Sequence, residues 1–283
     1  METLDYLQES ITRTTEAVEG RREAFFANPE DPHTIHRFRT NARALRSHVA
    51  FVKPWQNARQ NTETQEILRK IVGHTSRLRE LDVFERQARS NPDSSPELLA
   101  LCKEEASCER AKTYKALSSK RLTKSFQKAM EASKDIAWKR RYAKDGLPAN
   151  VVRARFDAMV ESVGADLDAL DLFDEERTHK VRKRAKRARY VAESNGELLG
   201  SDAVDIARGM EAHQDNLGDI CDARVNIRLI DEFLQRDLPK VVVCELHLTR
   251  AQNEVFLYEA LRSASMSPDA MIGFSSSRMK PRM

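Results

Sequence analysis

Residues 178–190 read Thr-His-Lys-Val-Arg-Lys-Arg-Ala-Lys-Arg-Ala-Arg-Tyr, and residues 35–46 read Ile-His-Arg-Phe-Arg-Thr-Asn-Ala-Arg-Ala-Leu-Arg. His179, Arg182, Lys186 and Arg189 map onto His36, Arg39, Arg43 and Arg46 at one constant offset (179 − 36 = 143). On a helix turning about 100° per residue, positions i, i+3, i+7 and i+10 fall within an arc of roughly 80°. Each stretch therefore stacks a histidine and three cations in one column. An apolar stripe adjoins each column: Ile35, Phe38, Ala42, Leu45 and Val49 in the first, Val181, Ala185, Ala188 and Ala192 in the second. Two basic columns beside core-facing stripes suggest one extended anion site.

Like charges three or four residues apart destabilise a helix by about 0.2–0.5 kcal/mol per pair. Solvent alone does not explain why each column borders an apolar stripe. Two readings do. Carboxylates on neighbouring helices neutralise the columns, with Glu80, Asp82, Asp219 and Asp222 as suitable acids. Alternatively, a polyanion lies across both. Arginine suits the second role, because its planar fork of donors matches phosphate oxygens and stays charged at any relevant pH. Recurrence of the whole column favours the ligand.

The chain has 283 residues, of which 33% are charged, with only nine glycines and nine prolines. That length buries a substantial core, and long helical-period segments predict an all-α protein. The net charge of +4 conceals uneven patterning. From Arg110 to Lys144 there are 12 basic residues against two acids, Glu131 and Asp135. From Arg177 to Arg189 there are eight Lys or Arg and no acid, just after an acidic run of Asp166, Asp168, Asp171, Asp174, Glu175 and Glu176. Such patterning points to a localised anion site.

Cys102, Cys108, Cys221 and Cys244 form no CxxC and no zinc spacing, which predicts reduced thiols, no metal centre and a cytoplasmic location. Met1–Gln8 has neither a basic n-region nor an apolar h-region, so no signal peptide is expected. No apolar run approaches the roughly 18 residues of a spanning helix, so no membrane role is expected.

Turn chemistry divides the chain. An opening helix is expected over Thr3–Ala27, closed by Asn28-Pro29, and Asp31-Pro32 starts the first cationic helix, which Pro54 ends or kinks. A third helix is expected from Thr62 to Arg89, then a long helical region from Pro96 to Lys144 with a break near Ser118-Ser119. Asp145-Gly146-Leu147-Pro148 is the strongest linker signal. Helices over Asn150–Leu170, Asp174–Leu199, Ser201–Gln235 and Pro239–Ser263 follow. The tail from residue 271 to 283 is basic and expected to be disordered. The similar order of helices in both halves suggests an internal duplication, with short turns favouring antiparallel bundles.

These residues resemble the CHAD domain, an all-helical family named for its histidines. His-x-x-Arg-x-x-x-Arg/Lys-x-x-Arg is similar to the family signature, and Lys186-Arg187-Ala188-Arg189-Tyr190 stands where the family has Lys-Arg-x-Arg-Tyr, with Glu193 just beyond. Leu217-Gly218-Asp219-Ile220-Cys221-Asp222 resembles the family's Leu-Gly-x-x-Asn-Asp element, and Arg79-Glu80-Leu81-Asp82-Val83 its Arg-Asp-x-Asp-Val. Glu80 thus replaces an aspartate, Cys221 an asparagine and Ala44 an arginine, and the second copy is the closer match. The resemblance covers Tyr6 to Ser263. It implies a single domain over residues 1–270, built from two pseudo-symmetric antiparallel helical bundles (about 1–145 and 149–265) with a basic central groove. It also implies binding of inorganic polyphosphate, and association with polyphosphate granules as in several bacterial members. Many members carry a fused CYTH domain, but no Glu-x-Glu-x-Lys motif occurs here.

Polyphosphate is a flexible line of negative charge with neither base nor sugar to read, so its receptor needs a track of cations. Arg39, Arg43, Arg46, Arg182, Lys183, Lys186, Arg187 and Arg189 are the principal expected contacts, with Arg79 added through the resemblance. Lys124 and Lys128, beside Lys120 and Arg121, either extend the track or form a solvated face. His36 and His179 either donate to phosphate or bond a neighbouring helix, and Tyr190 either bonds phosphate or packs. No catalytic acid–base pair or Gly-rich phosphate loop is visible, so neither an enzyme nor a cofactor is expected. The alternative is nucleic-acid binding, but the columns lack the aromatics on which bases stack, except Tyr190.

Overall fold

The computed structural model describes residues 2–266, so the basic tail expected at 271–283 lies outside the described residues. The protein is all-α. Its helices are α1 (Thr3–Ala27), α2 (Pro32–Phe51), α3 (Ala58–His74), α4 (Ser76–Ser90), α5 (Pro96–Ser118), α6 (Lys120–Lys134), α7 (Arg140–Asp145), α8 (Ala149–Asp168), α9 (Glu175–Leu199), α10 (Ala203–Phe233) and α11 (Lys240–Met266). Among the described residues there is no strand, only an isolated antiparallel bridge between Gln56 and Trp138. None of the described helices is long and apolar enough to cross a membrane.

Local chemistry explains most boundaries. The side chain of Asp31 accepts from the N–H of His33 at 2.8 Å, and Asp174 accepts from the N–H of Arg177 at 2.9 Å. Both cationic helices thus begin on an aspartate N-cap, which satisfies an otherwise orphaned donor and places negative charge at the positive helix end. Gly200, at φ 109°, ends α9 in a conformation that favours glycine.

Two stretches expected as continuous helix are broken, and α3 begins at Ala58, four residues before the expected Thr62. The helix expected from Thr62 to Arg89 is two helices, broken at Thr75. The region expected to be helical up to Lys144 is interrupted at Ile136–Lys139, where Ala137 O accepts from the N–H of Asn57 at 2.7 Å and Trp55 O accepts from the N–H of Lys139 at 2.8 Å. An extended segment docked on the α2–α3 loop keeps these backbone groups bonded without a helix.

The chain forms two compact units. Of the described residues, the first holds those up to Gln87, Leu101–Arg153 and Glu197–Leu199; the second holds Ala88–Ala100, Ala154–Gly196 and those from Gly200 to residue 266. In the first unit α1 packs along α2 and α6, and α3 packs along α2 and α6, which closes a ring of four helices. The stripe Ile35, Phe38, Ala42, Leu45 and Val49 is buried there, with Phe38 against Phe126 at a centroid distance of 6.4 Å. In the second unit Val181, Ala185, Ala188 and Ala192 of α9 are buried, as are Phe156 and Val160 of α8. Burial of both stripes fixes the rotation of α2 and α9, and so fixes where each cationic column emerges.

Candidate anion-binding site

On α9 the cations divide into those with carboxylate partners and those without. Lys180 pairs with Glu176 at 2.6 Å, and Arg184 pairs with Asp166 and donates to Ser162 at 2.8 Å. Arg189 pairs with Glu193 at 2.8 Å and with Glu211 of α10 at 2.9 Å. Together these acids favour the charged form of the Arg189 guanidinium and lift it above its ordinary range, against the opposing effect of burial. Arg182 and Arg187 make no ion pair among the described residues. Arg182 lies on α10, where its Nε donates to Gln214 O at 3.3 Å and its guanidinium rests over Gly218. A Cβ at position 218 would stand 3.1 Å from Arg182 Nη2, so the glycine leaves room for this side chain. Arg187 is exposed by surface area, yet surrounding atoms crowd its guanidinium. That crowding, with repulsion from Arg184, pulls it below the usual arginine range.

The remaining α9 candidates differ in exposure. His179 and Lys183 are exposed and Lys186 is half-buried. Tyr190 is buried, with the Arg189 guanidinium 5.6 Å from its ring centroid, so packing accounts for most of its surface.

On α2 the column His36, Arg39, Arg43 and Arg46 is half-buried throughout. Arg39 has a structural task that sequence does not reveal. Its Nη1 donates to Val72 O at 2.6 Å, to Thr75 Oγ1 at 2.9 Å and to Ser76 Oγ at 3.0 Å. The break at Thr75 leaves the last carbonyls of α3 without helical donors, and a cation is favoured at that negative end. Arg46 Nε donates to Gln65 Oε1 at 3.3 Å, and Gln65 Nε2 returns a bond to Arg46 O at 2.8 Å. Arg79 of α4 is half-buried and its charge pulls on Asp82. Lys128 of α6 is held by Glu63 at 2.6 Å, whereas Lys124 is exposed.

Two buried arginines that sequence reasoning did not select hold the entries to the cationic helices. Arg110 Nη1 donates to Pro29 O at 3.2 Å and Arg224 Nη2 donates to Leu172 O. Each carbonyl lies two residues before an aspartate N-cap, Asp31 or Asp174. Arg110 is also paired with buried Asp82 at 2.6 Å; burial raises the Asp82 carboxyl and outweighs the arginine's pull. Asp82 is therefore committed to Arg110 and Glu80 lies 3.9 Å from Arg77. The acids that meet the α9 cations are instead Glu176, Asp166, Glu193 and Glu211.

A family model described as the CHAD domain matches residues 9–231, which include both His-x-x-Arg-x-x-x-Arg/Lys-x-x-Arg helices. The chain belongs to the CHAD family. Its fold is shared by solved structures. The crystal structure of the CHAD domain from the plant Ricinus communis is similar with a TM-score of 0.68 at 20% identity, over 95% of this chain and 90% of that one. PptA from Streptomyces chartreusis is similar with a TM-score of 0.65 at 13% identity, over 94% of this chain and 100% of that one. At these identities the likeness is one of fold. No curated protein matches the chain. Within this CHAD chain, Cys221 stands at the position of an expected asparagine; burial pushes its thiol up, so it stays protonated.

Proposed function

We propose that this CHAD chain is a non-catalytic module that binds inorganic polyphosphate along the cationic faces of α9 and α2. The observation that carries the reading is the division of charge on α9. Acids meet Lys180, Arg184 and Arg189, while Arg182 and Arg187 stand in the same basic run without a carboxylate among the described residues. A crowded cation without a counter-ion gains more from an incoming anion than a solvated one, because part of its desolvation cost has already been met. Arg182, on the main column, and Arg187, one step round the helix from Lys186, are the principal contacts in this reading, with Lys183, Lys186 and His179 extending the track. Arg39 and Arg46 keep their places on α2 through bonds to α3, so Arg43 and His36 flank two side chains that are already oriented. Preorientation lowers the entropy cost of each phosphate contact.

The module acts in the cytoplasm in this reading, on polyphosphate granules or as a regulatory receptor of the polymer. The test is titration calorimetry with long-chain polyphosphate at near-physiological salt, with tripolyphosphate and a charge-matched single-stranded DNA as competitors. Saturable binding that weakens as the polymer shortens and resists DNA is the expected result. Equal or tighter binding of the DNA would place the protein among nucleic-acid binders, and turnover of tripolyphosphate with a divalent metal would make it an enzyme.

A further inference from the structure

α11 carries two apolar faces where a helix at the edge of a bundle needs one. Its inner face is occupied: Val242 and Leu246 are buried, Asn226 of α10 donates to Asn253 at 3.3 Å, and Arg250 pairs with Asp231 of α10 at 2.7 Å. On the opposite face Val241 (44% exposed), Leu248 (57%) and Val255 (57%) recur every seven residues. Exposed Cys244, Ala251 and Tyr258 (67%) fill the steps between them. Apolar residues alternating at three and four form the a/d seam by which one long helix pairs with another. From Val241 to Tyr258 the seam is about 26 Å long.

With Phe256 (42% exposed) at its flank, the seam offers roughly 500 Å² of side-chain surface per copy. Doubled across a symmetric contact, that comes to about 1,000 Å², the lower bound for a specific interface. We propose that a second copy of this chain covers the seam, with α11 against α11 in antiparallel order about a two-fold axis. Antiparallel order sets Leu248 against Ala251 of the second copy and Val241 against Tyr258, pairing large with small, with His247 beside Glu254. Parallel order would bring Glu254 against Glu259 twice by symmetry, and like charges flanking a seam oppose pairing.

The test is sedimentation of the full chain over about 1–100 μM, a range that brackets a dimer of modest affinity. A reversible dimer is expected, and Leu248→Glu with Val255→Glu raises its dissociation constant at least tenfold while helicity by circular dichroism stays unchanged. Alkylation supplies a second readout. Cys244 becomes protected as concentration rises, while Cys108, exposed on α5, stays reactive. A monomer at every concentration overturns the proposal, as does a dimer indifferent to the double variant. A monomer with Cys244 protected at every dilution also overturns it, and assigns the face to residues 267–283 of the same chain.

Discussion

Arg187 tests the site at the scale of one residue. Its guanidinium is disfavoured by crowding and by Arg184 three residues earlier. Arg187→Gln therefore removes a repelled charge, and the folded protein should gain a few tenths of a kcal/mol in urea denaturation. Polyphosphate affinity should fall about tenfold, the loss expected for one charge-assisted contact. A substitution that lowered both would mark Arg187 as structural. His213 of α10 reports on the interior. Burial pushes its imidazole below the ordinary value, against the pull of Asp168, so the folded state holds it neutral. As pH falls past about 6.5 the unfolded chain takes up this proton before the folded one. The stability His213 supports is therefore complete above that pH and declines as pH falls toward the lowered folded value. Denaturation midpoints at pH 7.5 and 5.5 should differ more for the native chain than for His213→Gln.

At the scale of elements, the contact between α9 and α10 passes through Gly218 and Arg182. Gly218→Ala should hold or raise stability, since alanine is favoured over glycine in a helix interior by about 1 kcal/mol. It should also displace the Arg182 guanidinium and weaken polyphosphate binding several-fold, measured by titration beside thermal melting. The elements themselves were largely legible. Asn28-Pro29, Asp31-Pro32 and Asp174 mark helix ends because their chemistry is local: a fixed proline φ, or a carboxylate capping the N–H of a residue two or three places on. The stripes on α2 and α9 gave the buried faces for the same reason. The break at Thr75 was not legible, because its local donors to Val72 O, the Thr75 and Ser76 hydroxyls, are joined by Arg39, 36 residues before the break, which bonds all three residues. Nor could sequence tell that Asp82 would meet Arg110 while Glu211 met Arg189. Those pairings are made by packing of elements distant in the chain, and no spacing rule encodes them.

For the whole molecule, the proposed binding depends on placed cations and not on net charge, which is only +4. A polyanion bound through several cations releases counterions, so affinity should fall steeply and linearly in a logarithmic salt plot, by about 0.7 for each phosphate neutralised if the single-strand value carries over. Diffuse attraction would show the same trend with any cation removed. The most direct measurement is therefore polyphosphate affinity by titration calorimetry for three charge reversals matched in net charge: Lys186→Glu on α9, Arg43→Glu on α2 and Lys144→Glu on α7. The first two should lose affinity at least tenfold while Lys144→Glu stays within about twofold of the native chain. Equal losses at all three positions would contradict that dependence on placed cations.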